Sequence, residues 1–133
     1  MKEYVEILKK LNKKAILNGD IPVSAIIVYK NKIISKEYNK KYKNNDPFAH
    51  AEILAIKKAA KLLKTPNLSE CEMYVSLYPC NMCREVINES KIKKVYYFTN
   101  KIKNINNKIS YIKLENDELY FSKELSRFFR NKR

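Results

Sequence analysis

The 133-residue chain lacks several features that would place it in a membrane or in an oxidising compartment. No apolar run approaches the ~20 residues of a bilayer-spanning helix, which excludes a membrane partner. No signal peptide opens the chain, and its three cysteines are an odd number, which argues against a disulfide framework. We therefore expect a reduced, cytoplasmic setting.

Acidic residues are also scarce, with 14 against 28 basic residues and a formal net charge of +14. Such an excess favours a polyanionic partner, because phosphates neutralise it. Lysine, asparagine and isoleucine are all abundant, however, which would equally follow from an AT-rich coding sequence, and many lysines could simply solvate the surface. Charge alone therefore favours a nucleic-acid partner only weakly.

Length and periodicity predict one domain, residues 1–133, of the α/β class. Glycine is nearly absent, so the single copy, Gly19, just past a helical stripe, predicts a left-handed helix end. Two of the predicted helices cover 4–17 and 80–90. Another is opened by Asp46 and Pro47 and ends before Pro66. The last helix begins at Asp117, and its predicted inward-facing residues are Leu119, Ser122, Leu125, Phe128 and Phe129. The predicted strands cover 21–29, 33–38, 73–77 and 94–98; 39–45 and 99–108 are predicted loops, and 109–114 is either a fifth strand or an irregular segment.

Two short motifs carry the chemistry. His50-Ala51-Glu52 and Pro79-Cys80-Asn81-Met82-Cys83 together form the H-x-E and P-C-x-x-C signature of zinc-dependent nucleobase deaminases. A hydrolytic zinc ion takes three protein ligands and leaves a fourth position for water, and one histidine with two cysteines fills that set. Cys80 and Cys83 are three apart, so at a helix start both sulfurs share one face, where the helix N-terminus favours the thiolate. Glu52 is then left to move protons.

Two other interpretations of these residues stay open. The cysteines could be a redox pair, with His50 a satisfied core histidine and Glu52 a solvated helix residue. Alternatively, Cys71 could complete a structural zinc site with three cysteines and a histidine, although it would have to fold back to reach the metal. The simplest role for Cys71 is that of a small, partly buried apolar residue.

The chain resembles the bacterial tRNA-specific adenosine deaminases over about residues 21–98 and again in the last helix. The resemblance rests on residues 21–25, Asn39, 46–53, 74–77, 79–83 and 128–130. It implies a cytidine-deaminase-like three-layer α/β/α fold with a central mixed sheet of about five strands. It also implies a homodimer with one Zn²⁺ per subunit that converts the wobble adenosine of a tRNA anticodon stem-loop, expected to be arginine tRNA, to inosine.

Matching positions imply a role for each site residue. His50, Cys80 and Cys83 are expected to bind zinc, and Glu52 to shuttle protons for the zinc-activated water. The substrate-binding residues expected from the resemblance are Asn39, Val23, Ala51, Phe128, Phe129 and Arg130. Asn39 could equally be a turn residue, and one of the two phenylalanines is expected to be core packing.

The sequence departs from the family at two places. Tyr78 stands where relatives usually have glutamate, and Asn100-Lys101 stands where they have an arginine-aspartate pair. We predict that Lys101 strengthens the attraction of phosphate. Two alternative functions remain: a free nucleobase or nucleotide deaminase of the guanine, cytidine or deoxycytidylate type, and a non-catalytic, zinc-stabilised RNA-binding module.

Overall fold

The structure, a computed structural model, describes residues 2–100 and 109–131. Lys101, Lys132 and Arg133 lie outside the described residues. The helices are α1 (Lys2–Leu17), α2 (Lys41–Asn44), α3 (Ala51–Leu63), α4 (Asn81–Ser90) and α5 (Glu118–Asn131). The strands are β1 (Ser24–Tyr29), β2 (Lys32–Tyr38), β3 (Cys71–Leu77), β4 (Lys94–Thr99) and β5 (Ser110–Lys113). Within these two stretches, no helix combines the length and apolar character needed to cross a bilayer.

The five strands form one mixed sheet in the order β2-β1-β3-β4-β5. β1 pairs antiparallel with both β2 and β3, whereas β3, β4 and β5 run parallel to one another. The predicted mixed sheet is therefore confirmed. The segment from residue 109 that the sequence left open forms its edge strand, β5.

Helices cover both faces of this sheet, as the three-layer prediction requires. Ala55 and Ala59 of α3 pack with Ile27 on one face, while Leu8 of α1 packs with Ile26 on the other. Ile26 and Ile27 are adjacent, and both are 0% exposed. A strand buried on both faces has no polar alternation, which explains the continuous apolar run in β1.

The predicted end of α1 is confirmed, whereas the predicted starts of β1 and α3 differ from the structure. Gly19 has φ 77, the left-handed conformation expected after α1. The predicted loop over 39–45 contains the short helix α2, and β1 begins at Ser24 rather than at residue 21. The predicted helix start at Asp46 and Pro47 was wrong, because the Asp46 carboxylate accepts the Phe48 amide at 2.9 Å in a local turn. α3 begins only at Ala51.

The inward face of α5 also differs from the prediction. Leu119 is 64% exposed, whereas Phe121 is 1% exposed and its ring lies 5.2 Å from that of Phe98. Burial of this large aromatic ring rotates the helix and turns Leu119 and Ser122 outward. Glu124 turns inward as a result, where it meets Asn12 of α1.

Candidate metal centre

Three potential metal ligands meet where β3 ends and two helices begin. His50 is the N-cap residue of α3, in extended conformation, and Cys80 is the N-cap residue of α4. Cys83 lies in the first turn of α4 and is fully buried. Because Cys80 follows β3 by only three residues, the sheet edge places both cysteines beside the start of α3.

The spacing of these three side chains fits a single zinc ion. The Nδ1 atom of His50 lies 3.9 Å from the Cys80 sulfur and 3.5 Å from the Cys83 sulfur. Zinc bonds of ~2.0 Å to nitrogen and ~2.3 Å to sulfur give a tetrahedral N–S edge of about 3.5 Å. All three ligand atoms lie within 4.8 Å of one another. The donor set and its geometry therefore match a tetrahedral site with one open position.

Cys71 does not belong to this cluster of described residues. It begins β3, while Cys80 follows the other end of that strand, and six residues of extended chain separate these ends by roughly 20 Å. Its side chain is buried in the core on the α3 side of the sheet. The alternative of a structural site with Cys71 as fourth ligand was wrong, and Cys71 is a core residue.

The thiols and the imidazole already interact electrostatically. Hydrogen bonds from the Cys83 thiol and from the His50 ring lower the pKa of Cys80 to about 3. The hydrogen bond to Cys80 raises the pKa of His50. The hydrogen bond between Cys83 and Cys80, together with burial, raises the pKa of Cys83. The cluster thus concentrates negative charge at Cys80. A bound dication would displace the proton of Cys83, so that both cysteines would bind the ion as thiolates.

Glu52 is a buried carboxyl group beside the cluster. It is 3% exposed, and burial raises its pKa to about 7. A carboxyl group with that pKa exchanges protons readily near neutral pH. Glu52 follows His50 by two residues in the first turn of α3, so it accompanies the ligands without belonging to the cluster that could hold the metal.

His50, Glu52 and Cys80 line a cavity of about 310 Å³, which is large enough for a nucleobase. Val23 and Asn39 form part of its wall together with His50 and Glu52. The Asn39 side-chain oxygen accepts the Ala51 amide at 2.8 Å, which fixes the orientation of the side-chain amide. The Asn39 NH₂ group is therefore left as the donor for a ligand.

A family model supplies the deciding comparison. Residues 1–99 match the cytidine and deoxycytidylate deaminase zinc-binding region. The chain belongs to this deaminase family. The expected family and its single zinc ion are thus confirmed, with His50, Cys80 and Cys83 as the residues placed to hold the ion.

Curated members of the deaminase family include close relatives of this chain. The tRNA-specific adenosine deaminase of Aquifex aeolicus is 45% identical over 97 residues, which cover 72% of this chain and 64% of that protein. The protein of the same name from Buchnera aphidicola subsp. Schizaphis graminum is 37% identical over 128 residues, covering 87% and 85%. The match therefore spans a little under two thirds of the Aquifex protein and most of the Buchnera protein.

Solved structures confirm the deaminase fold. One, from studies of A-to-I editing by tRNA:A34 deaminases, has a TM-score of 0.78 at 23% identity and covers 85% of this chain and 98% of that chain. The guanine deaminase of Bacillus subtilis has a TM-score of 0.65 at 38% identity and covers 70% and 62%. The cytidine-deaminase-like fold expected from the sequence is thus established.

Among the residues that line this cavity, sequence analysis missed Arg84 as a polar group and left Tyr78 unexplained. The Arg84 guanidinium donates to the Pro79 carbonyl at 2.9 Å, bonds the Asn81 side chain, and lies 5.3 Å from the centre of the Tyr78 ring. Tyr78 is 7% exposed, with its ring edge-on to Tyr97. Its hydroxyl is buried with no hydrogen-bond partner among the described residues. The spacing could have revealed Arg84, because it follows Cys80 by four residues and therefore lies on the same face of the helix as this ligand.

The structure does not bring the predicted C-terminal residues to the zinc cavity of this deaminase. Phe128 is buried and lines a second cavity between α1 and α5. Phe129 is 42% exposed and lies against Phe128 with ring centres 5.4 Å apart, and Arg130 is exposed. One phenylalanine is therefore core packing, as expected. The RNA-binding role of these three residues stays a prediction.

Proposed function

We propose that this protein deaminates the wobble adenosine of a tRNA anticodon loop to inosine. The observation that carries the proposal is a buried carboxyl group, Glu52, in the same base-sized cavity as His50 and Cys80 of the zinc ligand set. Relatives named tRNA-specific adenosine deaminase at 37 and 45% identity support the substrate. A net charge of +14 suits an RNA partner.

The reaction replaces the adenine amino group with oxygen from water. Zinc held by His50, Cys80 and Cys83 would supply Lewis acidity to activate that water. Glu52 accepts a proton from the attacking water and delivers it to ring nitrogen N1 as the bond from oxygen to C6 forms. The carboxyl group then hands the second proton of the water to the amino group, which leaves as ammonia when the C6–N bond breaks.

The remaining cavity residues orient the base. The Asn39 NH₂ group donates a hydrogen bond to the nucleoside, because its oxygen is occupied by the Ala51 amide. Ala51, predicted to bind substrate, contributes by holding Asn39 in place. Val23 supplies an apolar wall. A wobble base is already unpaired in the anticodon loop, so moving it into the cavity requires little energy.

The wider setting follows from the family resemblance. We infer a single domain over residues 1–133 that works as a cytoplasmic homodimer on arginine tRNA. Phe129 and Arg130 would contact the RNA outside the zinc cavity, with the buried Phe128 packed against Phe129 and supporting it. The exposed faces of Phe129 and Arg130 at the end of α5 are compatible with stacking and phosphate contact.

A guanine deaminase is the second candidate. The Bacillus subtilis guanine deaminase is 38% identical to this chain over the region matched. Free guanine also fits the cavity volume. Turnover of guanine with no reaction on RNA would favour this alternative over the tRNA reaction.

The test uses zinc-loaded protein and an unmodified arginine tRNA with a wobble adenosine. Sequencing the product reads inosine at each position, and Glu52→Gln serves as the variant that keeps size but cannot shuttle protons. We expect inosine at the wobble position alone, formed about 1,000-fold more slowly by Glu52→Gln because general acid–base catalysis is lost. Absence of inosine from folded, zinc-loaded protein would contradict the proposal. Equal activity of Glu52→Gln would contradict the role of the carboxyl group.

A further inference from the structure

A second cavity, of about 410 Å³, lies between α1 and α5. Its wall comprises Lys13 and Ile16 of α1, and Tyr120, Glu124, Arg127 and Phe128 of α5. This volume falls in the range of small-molecule sites. The proposed deamination uses none of these side chains except Phe128, and it leaves this cavity unexplained.

Glu124 gives the cavity a buried hydrogen-bond acceptor. The residue is 9% exposed, and one of its carboxyl oxygens accepts the Asn12 side-chain amide at 2.9 Å. Glu124 forms no ion pair with any residue that the structure describes. A carboxylate offers about four acceptor positions, so several remain for a ligand with N–H donors.

Two exposed cations border the same cavity. The salt bridges among residues 2–100 and 109–131 do not include Lys13 or Arg127, although the charge of both, like that of Lys9, acts on the Glu124 carboxyl group and opposes the rise of its pKa. Unpaired cations at the rim of a cavity attract an anionic group such as phosphate. The cavity therefore combines an interior acceptor with an anion-binding rim.

Aromatic side chains complete the wall. Tyr120 and Phe128 are eight residues apart and so lie on the same face of α5. Lys9 covers one side of the Tyr120 ring at 4.5 Å. A planar base that contacts these rings would place its hydrogen-bonding edge toward Glu124 and its phosphate toward the rim.

We propose that this cavity binds a guanine nucleotide, with the base donating hydrogen bonds to Glu124 and the phosphate contacting Lys13 and Arg127. Guanine is the common base with two adjacent donors, N1–H and the N2 amino group, which a carboxylate accepts together. Adenine and cytosine place an acceptor beside their amino group, and that acceptor would face the carboxylate. The nucleotide comes from solution or from an RNA chain, since both present the same chemistry.

Calorimetric titration of the zinc-loaded protein with GMP, IMP and AMP tests the site. We expect GMP to bind at least tenfold tighter than AMP, with IMP weaker than GMP because it lacks the N2 amino group. Arg127→Ala should weaken GMP binding about tenfold, while the exposed-lysine control Lys57→Ala on α3 should not change it. Glu124→Gln keeps an acceptor for Asn12 but should abolish the preference for GMP over AMP.

A short single-stranded RNA containing one guanosine, compared with the same RNA containing inosine, identifies the source. Guanosine preference in the RNA that depends on Glu124 and Arg127, without binding of free GMP, assigns the site to RNA. No preference for guanine in either ligand overturns the proposal. The proposal is also overturned if Asn39→Ala abolishes the binding of GMP while Arg127→Ala leaves it unchanged, because the nucleotide then occupies the zinc cavity. Inosine formation on tRNA, measured on the same preparations, tests the deaminase reaction separately.

Discussion

Replacing Glu37 with glutamine tests the ion pairs that a buried carboxylate on the sheet edge forms with two lysines. Glu37 lies in β2 and is 6% exposed, and its two oxygens contact Lys40 at 2.8 Å and Lys58 at 2.7 Å. Burial acts to raise the pKa of Glu37, but hydrogen bonds from the two ammonium groups outweigh it and lower the pKa overall. Glutamine keeps the shape and removes the charge.

The expected loss is about 2 kcal/mol in the free energy of unfolding at pH 7. Hydrogen bonds to charged groups contribute about 1.5–3 kcal/mol, and the value here is reduced because the Lys58 side chain is 59% exposed and readily rehydrated. For a chain of this size, that loss lowers the midpoint of thermal unfolding by roughly 6–10 °C. A neutral replacement at exposed Glu89 of α4 serves as the control and should change stability by less than ~0.5 kcal/mol.

Urea unfolding followed by circular dichroism from pH 7 to pH 3 measures this effect. Because the folded pKa is lowered, the contribution of Glu37 is present above its unfolded pKa of ~4.3 and is lost as the pH falls through the folded value. Wild type and Glu37→Gln should therefore converge in acid. A difference that is below ~0.5 kcal/mol at pH 7, or that persists unchanged at pH 3, would refute the reasoning.

Three further predictions concern the interior. Cys83→Ser should reduce the zinc content from one ion per chain to under about a tenth, as read by elemental analysis, whereas Cys71→Ser should keep the ion; loss from both would contradict the ligand assignment. Tyr78→Phe removes an unpartnered hydroxyl and should leave urea stability unchanged or raise it by up to ~1 kcal/mol, so a loss above 1 kcal/mol would reveal a hidden partner. Burial raises the pKa of Glu124 despite the Asn12 hydrogen bond. Its contribution to the free energy of unfolding is therefore fully present below the unfolded pKa of ~4.3 and is lost as the pH rises through the folded pKa. Glu124→Gln should thus gain stability relative to wild type as the pH rises, opposite to Glu37→Gln; parallel slopes would refute this.

The sequence predicted those parts of the molecule that depend on local pattern. The zinc ligands follow from short spacings at helix starts, and β1 follows from an apolar run with no polar alternation. The start of α3 was mistaken because Asp46 and Pro47 form a good helix opening locally, yet Asp46 caps its own turn instead. Propensity could not distinguish these two uses of one aspartate.

Long-range packing accounts for the other differences. Which face of α5 turns inward depends on Phe98 of β4, more than 20 residues earlier in the chain, so the periodicity of α5 alone favoured Leu119. The position of Arg84 over Tyr78 depends likewise on how α4 meets the end of β3. Asn39 and Glu52, by contrast, line one cavity with His50, and the roles that the resemblance implies for them stay predictions.

His50 and Cys80 occupy positions where helices ordinarily carry serine, threonine or aspartate. The His50 side chain makes no hydrogen bond to the free amides of its helix, whereas the Cys80 sulfur interacts with the backbone amide of Cys83 as well as with the other two metal ligands. A missing cap destabilises a helix by about 1 kcal/mol, so the start of α3 gives up local stability to form the site. A zinc ion held by these residues would tie together two helix starts that are 30 positions apart in the chain. The ion would therefore also act as a structural restraint, added to the packing that already brings the three ligand atoms within 4.8 Å of one another.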